Sequence, residues 1–313
     1  MNVTVYKSTG NWYQVKDGAG NTYNARLLGK FKIEGLTSTN PIAVGDRVTI
    51  DSDTHSRDNQ SEVSYTITAI EKRKNYITRV SPANKHQHHI IASNLQQSLL
   101  FATLKDPKTS QGFIDRFLIT SEAYHIPSII VFNKADLYRK KENEIFAKVK
   151  NIYETIGYKV LLMSIGTGDG VEEVTSLLKD KVTLLSGHSG VGKSTFINAV
   201  FPQMKLKTQD VSGWSGKGLH TTTFAEMFDL PGGGKIIDTP GIRELGLVDI
   251  SKQELSHYFP EMRKLIIDCR YNNCMHLNEP DCAVKMAVEN GTIHIDRYIS
   301  YCNILDTIIE KTY

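Results

Sequence analysis

The sequence predicts a multi-domain chain with a small N-terminal β-barrel, a central α/β domain on a mostly parallel sheet, and a C-terminal helical segment organised by a metal. Three observations carry this. Short β-rich runs broken by turn formers fill residues 1–80; apolar strands alternate with amphipathic helices from Ser98 to about Ile250; and three of the 4 cysteines crowd together at Cys269, Cys274 and Cys282. With 313 residues, 40% hydrophobic and 23% charged, the chain has apolar material for a core in each part. The net charge of +3 permits contact with RNA or an acidic surface without demanding either. Residues 1–10 lack the apolar core of a signal peptide, and no apolar run approaches the roughly 18 residues of a membrane span, so a cytoplasmic protein with no membrane partner is expected.

Residues 2–7, 12–15, 23–27, 47–50 and 65–70 are rich in Val, Ile, Thr and Tyr, with Asp17-Gly18, Gly20-Asn21 and Gly45-Asp46 between them. Five such strands in so short a stretch suggest a closed, OB-like barrel, an architecture that commonly binds nucleic acid. Lys72, Arg73, Lys74 and Arg79, with Tyr76 among them, suit an RNA backbone and its bases; a solvated strand end is the competing account. Ser81-Pro82 and the His-rich residues 85–89 read as a linker.

The central pattern alternates: strand 99–104, helix 112–125, strand 128–132, helix 142–156, strand 159–163, helix 171–178, strand 182–186. Such β-α repetition implies parallel strands covered on both faces. Gly187, His188, Ser189, Gly190, Val191, Gly192, Lys193 and Ser194 then fit G-x-x-x-x-G-K-[ST], between a strand and the helical residues 195–201. The glycines let the backbone curl so that its N–H groups face phosphate oxygens, with Thr195 in the first helical turn behind them. Lys193 would reach the β- and γ-phosphates, and Ser194 would hold Mg²⁺. Asp238-Thr-Pro-Gly241 follows Ile236-Ile237, placing an acid for Mg²⁺ through water and a glycine N–H for the γ-phosphate.

Asn133-Lys134-Ala135-Asp136 directly follows a strand. A carboxylate at Asp136 accepts both donors of the guanine edge and meets the opposite pattern on adenine. Asn133 can bond the base edge or brace the phosphate loop, the Lys134 stem can cover the ring, and a backbone amide at Ser164-Ile165 would meet guanine O6. Residues 212–223 are Gly-rich and polar, suiting a switch loop, with a plain surface loop as the alternative. One of Thr221, Thr222 and Thr223 is expected on Mg²⁺, Thr222 being the one assigned. Ile242 stands where a water-orienting Gln would serve, so hydrolysis must be slow or use another group; His220 is the candidate, and a partner could supply one.

Cys269, Cys274, His276 and Cys282 offer three thiolates and an imidazole, a closed tetrahedral shell for one structural zinc; buried reduced thiols are the alternative. Cys302, in the helical residues 298–309, reads as core.

N-K-x-D, G-x-x-x-x-G-K-S and D-x-x-G form the signature set of Ras-like GTPases, here with N-K-x-D first, so the order is circularly permuted. Together with the barrel, His220-Thr-Thr-Thr, the Cys/His segment and Arg297-Tyr298…Tyr301, the chain resembles the ribosome small-subunit-dependent GTPase A family (RsgA, also called YjeQ) over nearly its full length. The resemblance implies an OB-like RNA-binding domain at residues 1–81, a permuted P-loop GTPase domain at 82–250 and a helical zinc domain at 251–313. It further implies GTP and GDP as ligands with Mg²⁺, contact with the small ribosomal subunit and its rRNA, late maturation of that subunit, and hydrolysis stimulated by it; a monomer is expected. A P-loop ATP enzyme, or an RNA-binding module with a regulatory, weakly hydrolysed nucleotide, are the other readings. The chain lacks the long basic N-terminal extension some members carry, and its net charge is modest.

Overall fold

Period-2 alternation shapes the first part of the chain, in a computed structural model describing residues 1–10, 12–27, 41–52, 65–80, 88–204, 225–238 and 250–308. Strands β1 (Asn2–Ser8), β2 (Trp12–Lys16), β3 (Thr22–Leu27), β4 (Arg47–Ser52) and β5 (Tyr65–Ile70) turn Val3, Val5, Tyr13, Val15, Ala25, Val48, Ile50 and Ile67 inward, where Ile42 joins them. Strand β1 pairs with β2, β2 with β3, β3 in parallel with β5, β5 with β4, and β4 back with β1. That circuit closes the expected five-stranded barrel.

After the barrel, β6 (Tyr76–Val80) and β7 (His88–Ser93) form an antiparallel pair. His88 and His89 therefore lie in a strand rather than in the linker the sequence suggested. Arg73 also departs from expectation. Its guanidinium donates to Asp46 at 2.6 Å and to the Pro41 carbonyl at 2.6 Å, and only 8% of the side chain is exposed, so it ties the barrel together instead of facing RNA. The buried Asp46 carboxylate, which also accepts from Ser93 of β7 at 2.6 Å, makes that basic residue structural.

The α/β part runs β8 (Gln97–Ala102), α1 (Gln111–Ala123), β9 (Ser128–Phe132), α2 (Lys140–Thr155), β10 (Lys159–Leu162), α3 (Val171–Ser176), β11 (Val182–Ser186), α4 (Lys193–Val200), β12 (Glu226–Asp229) and β13 (Lys235–Asp238). Strands β10, β9, β8, β11 and β13 are parallel neighbours in that order, with β12 antiparallel at their edge. Central β8 is buried throughout. Its Leu100 and Ala102 pack with Phe117 of α1 and Tyr153 of α2, while Leu99 and Phe101 pack with Val174 of α3 and Phe196 of α4. Strand β1 pairs with β12, so barrel and α/β sheet share one hydrogen-bonded sheet. Among the described residues, no helix is long and apolar enough to cross a membrane.

The C-terminal part carries α5 (Pro260–Arg263), α6 (Ala283–Glu289) and α7 (Ile295–Thr307), and packs on α1 through Ile119. Buried Arg297 of α7 anchors it. Its guanidinium donates to Glu261 of α5 at 2.7 Å and to Asp115 of α1, and it lies 4.6 Å from the Phe259 ring centroid. Tyr153 donates to the same Asp115 at 2.6 Å. Removing one partner of such a site leaves buried charge uncompensated. Arg297→Met is therefore expected to lower the unfolding free energy by about 3–5 kcal/mol, read as a shifted denaturant midpoint. An unchanged midpoint would contradict the anchoring role.

Candidate nucleotide site and metal cluster

The phosphate loop leaves β11 with three glycines in the left-handed region, Gly187 at φ +135°, Gly190 at +83° and Gly192 at +99°. Two of them also have no room for a side chain. A Cβ at Gly187 would lie 2.3 Å from the Phe101 carbonyl oxygen, and one at Gly192 would lie 2.3 Å from Asn133 Nδ2. Helix α4 then starts at Lys193, putting Ser194 and Thr195 in its first turn. Lys193 Nζ donates to the Gly187 and His188 carbonyls at 2.7 and 3.0 Å, folded across the loop it would share with phosphate. Burial pushes its pKa down, and the nearby Asp238 charge pushes it back up. Asp238 ends β13 level with Leu185, two residues before Gly187. The His188 ring stacks on Phe113 of α1 with centroids 3.8 Å apart, and Ser189 stands exposed beside it.

Asn133 links this cradle to the loop after β9. Its Nδ2 donates to the Val191 carbonyl at 2.8 Å, its backbone N–H donates to Ala102 at 2.8 Å, and its buried Oδ1 has no protein partner. Lys134 adopts φ +63° and reaches the Asp106 carbonyl. Asp136 accepts from Ser164 Oγ at 2.5 Å, and a Cβ on Gly166 would sit 3.8 Å from its carboxylate. The amide of Ser164 donates to the Asp169 carbonyl at 2.9 Å, because the turn after β10 uses that N–H internally. Ser164 thus enters the site through its hydroxyl. The structure brings together the loops of Asn133, Ser164 and Gly187–Ser194; His220, Thr221–Thr223, Gly241 and Ile242 lie outside the described residues.

Sequence reasoning missed Tyr138. Its buried hydroxyl donates to the Asn133 carbonyl at 2.9 Å and accepts from the Leu104 N–H at 2.9 Å, clamping the loop after β9 to the loop after β8. Burial pushes its pKa up to about 12, so it stays a neutral donor. Nothing in the local sequence marks it, because its partners are backbone groups.

In the C-terminal part the ligand atoms of Cys269, Cys274, His276 and Cys282 all lie within 4.8 Å of one another, and all four residues are buried. Cys269 Sγ is 4.0 Å from Cys282 Sγ and 3.6 Å from His276 Nδ1, which is 3.4 Å from Cys282 Sγ. A tetrahedron with metal–sulfur bonds of about 2.3 Å has edges of that order, so the set fits zinc. Burial holds His276 below its ordinary pKa, in the neutral form that ligates. The turn is held from outside. Tyr298 and Tyr301 of α7 donate to the His276 and Met275 carbonyls at 2.6 and 2.8 Å, and Glu279 accepts the N–H groups of Met275, Leu277 and Asn278.

Comparison with known proteins adds a family. Residues 70–248 match the model of the RsgA GTPase, and residues 4–58 match that of the RsgA N-terminal domain. The small ribosomal subunit biogenesis GTPase RsgA of Flavobacterium psychrophilum is 51% identical over 98% of this chain and 93% of its own length. The protein of the same name from Bacteroides fragilis is 47% identical over 100% of this chain and 99% of its own. Among solved structures, YjeQ from Thermotoga maritima superposes with a TM-score of 0.77 at 32% identity, covering 99% of both chains. YloQ, described as a circularly permuted GTPase, superposes at 0.73 and 28% identity, covering 100% of this chain and 96% of its own.

Tyr138→Phe keeps the ring and leaves the Leu104 N–H and one Asn133 acceptor site unpaired. A loss of about 1–3 kcal/mol attaches to an unpaired buried group. The dissociation constant for GDP, measured by fluorescence titration, is expected to rise about tenfold; an unaltered constant would show that the clamp does not support the site.

Proposed function

Since the chain belongs to the RsgA GTPase family, we propose that it is a GTPase that binds the small ribosomal subunit, assists its late maturation and hydrolyses GTP to GDP and phosphate. The observation that carries this reading is the Asn133 Nδ2 bond to the Val191 carbonyl, which couples the base-reading loop to the phosphate cradle despite the permuted order of the two in the chain. Asp136, held by the Ser164 hydroxyl, accepts the two donors of the guanine edge, and the Lys134 stem lies against the ring. The N–H groups of residues 187–192 and the Lys193 ammonium surround the phosphates.

The Ser194 hydroxyl and Asp238 carboxylate are hard oxygen donors of the kind magnesium takes, with Thr222 assigned as a further one. Bound magnesium would neutralise charge on the transferring phosphoryl group. Gly241 offers its N–H to the γ-phosphate. Because Ile242 cannot orient water, His220 is assigned that task, assisted by the subunit, which gives slow turnover by the protein alone.

Residues 1–81 form the RNA-binding barrel in this reading, 82–250 the GTPase domain and 251–313 the zinc domain, with barrel and zinc domain gripping rRNA. One structural zinc on Cys269, Cys274, His276 and Cys282 closes the last of these, and the protein works as a cytoplasmic monomer.

Purified small subunits are expected to raise the GTP turnover rate severalfold, and Lys193→Ala to abolish turnover; no stimulation across salt concentrations would overturn the reading. Asp136→Asn should exchange preference for GTP for preference for xanthosine triphosphate, and tight ATP binding by the native protein would instead favour an ATP enzyme. Elemental analysis should find one zinc per chain, lost in Cys282→Ser together with a lowered melting temperature. Zinc retained at full stoichiometry in that variant would exclude the four-residue shell.

A further inference from the structure

One register row crosses the molecule from the barrel to the candidate nucleotide site. Lys7 of β1 lies opposite Glu226 of β12, Glu226 lies opposite Asp238 of β13, and Asp238 lies opposite Leu185 of β11, just before the phosphate loop. Lys7 Nζ and Glu226 Oε2 are 3.0 Å apart. At the other end of β12, Asp229 gathers donors from three strands. Lys16 of β2 lies at 2.7 Å, Lys235 of β13 at 2.6 Å, and the Tyr6 hydroxyl of β1 at 2.6 Å. Lys235 also donates to that hydroxyl, and the Lys16 and Lys235 ammonium groups stand 4.3 and 4.8 Å from the Tyr6 ring centroid. Burial alone would raise the Asp229 pKa, but the hydrogen bonds from Lys16, Lys235 and Tyr6 outweigh it and hold the carboxyl near 2. The Asp229 carboxylate is therefore ionised at neutral pH.

These contacts are more than a joint between two bodies. Among the described residues, the backbone register between β1 and β12 rests on one residue pair, Lys7 with Glu226, so side chains carry much of the connection. The hairpin they grip is the one that ends in Asp238. A shift of the barrel must either drag β12 and β13 along or break the Asp229 cluster, and charged, hydrogen-bonded pairs separate in discrete steps. Tyr6 extends the link, since its ring belongs to the same apolar core as Ile237, the residue before Asp238.

We propose that the Lys7–Glu226 pair and the Tyr6–Lys16–Asp229–Lys235 cluster are positioning residues for hydrolysis, through which a polyanionic partner seated on the barrel sets the placement of Asp238. The proposal rests on the reading of the chain as a subunit-stimulated GTPase. The same contacts also link binding at the two sites, and a subunit that changes nucleotide affinity through them has its own affinity changed by the nucleotide to the same degree.

The test uses full-length Asp229→Asn and Glu226→Gln, which keep shape and remove charge without taking basic groups from the barrel. Two ratios are measured: stimulated over basal GTP turnover, and subunit affinity with a non-hydrolysable GTP analogue over that with GDP. Both should shrink roughly 2- to 30-fold, the range that a change of about 0.5–2 kcal/mol in coupling produces. The exchange Lys7→Glu with Glu226→Lys should restore them relative to Glu226→Gln, a recovery that a merely structural contribution to melting temperature would not produce. Native ratios in both variants, with GDP still bound, would overturn the seam and leave the function standing. A native protein that subunits do not stimulate would overturn the function itself, and this inference with it. Should Asp229→Asn fail to fold, Glu226→Gln and the exchanged pair decide the matter alone.

Discussion

A single side-chain amide holds the candidate site together. Asn133 Nδ2 donates to the Val191 carbonyl, and Gly192 leaves the space through which it passes. Without that bond the loop after β9 and the loop after β11 would be neighbours only because both strands flank β8. With it, the loop that carries Asp136 and the glycine-rich loop 187–192 share one frame. A buried amide oriented by its own backbone N–H on Ala102 has little freedom to do otherwise. The permuted order of the motifs is tolerated for the same reason, because the frame depends on which strands lie side by side.

Helix α1 gives that frame its reach. Phe113 stacks on His188 in the phosphate loop, Asp115 takes the buried guanidinium of Arg297 from the C-terminal part, and Tyr124, just past the helix, meets Thr78 of β6 at 2.6 Å. Three parts of the chain thus lean on one helix. The C-terminal part draws its position from that charge triad as well as from apolar packing.

Much of this was legible because its signals are local. Alternating Val and Ile marked the barrel strands, glycines marked the phosphate loop, and the spacing of Cys269, Cys274, His276 and Cys282 marked the metal cluster, which the folded chain indeed collects within 4.8 Å. What stayed hidden depends on distant partners. The β6–β7 pair lay under basic and His-rich residues, and Arg73 looked like an RNA contact until Asp46, 27 positions away, claimed it. Tyr138 acts on backbone atoms, which leave no trace in side-chain chemistry. The Ser164 hydroxyl bond to Asp136 was hidden as well, since it joins the turns after two different strands.

The carboxylate of Glu279 has a consequence for how the cysteine cluster fills and empties. It neutralises three inward N–H groups of the 275–278 turn, while two tyrosine hydroxyls grasp the turn's carbonyls. That scaffolding makes no use of an ion. A thiol set suspended on a turn braced by its own hydrogen bonds would surrender less chain entropy on taking up a metal than the same residues on an unbraced loop.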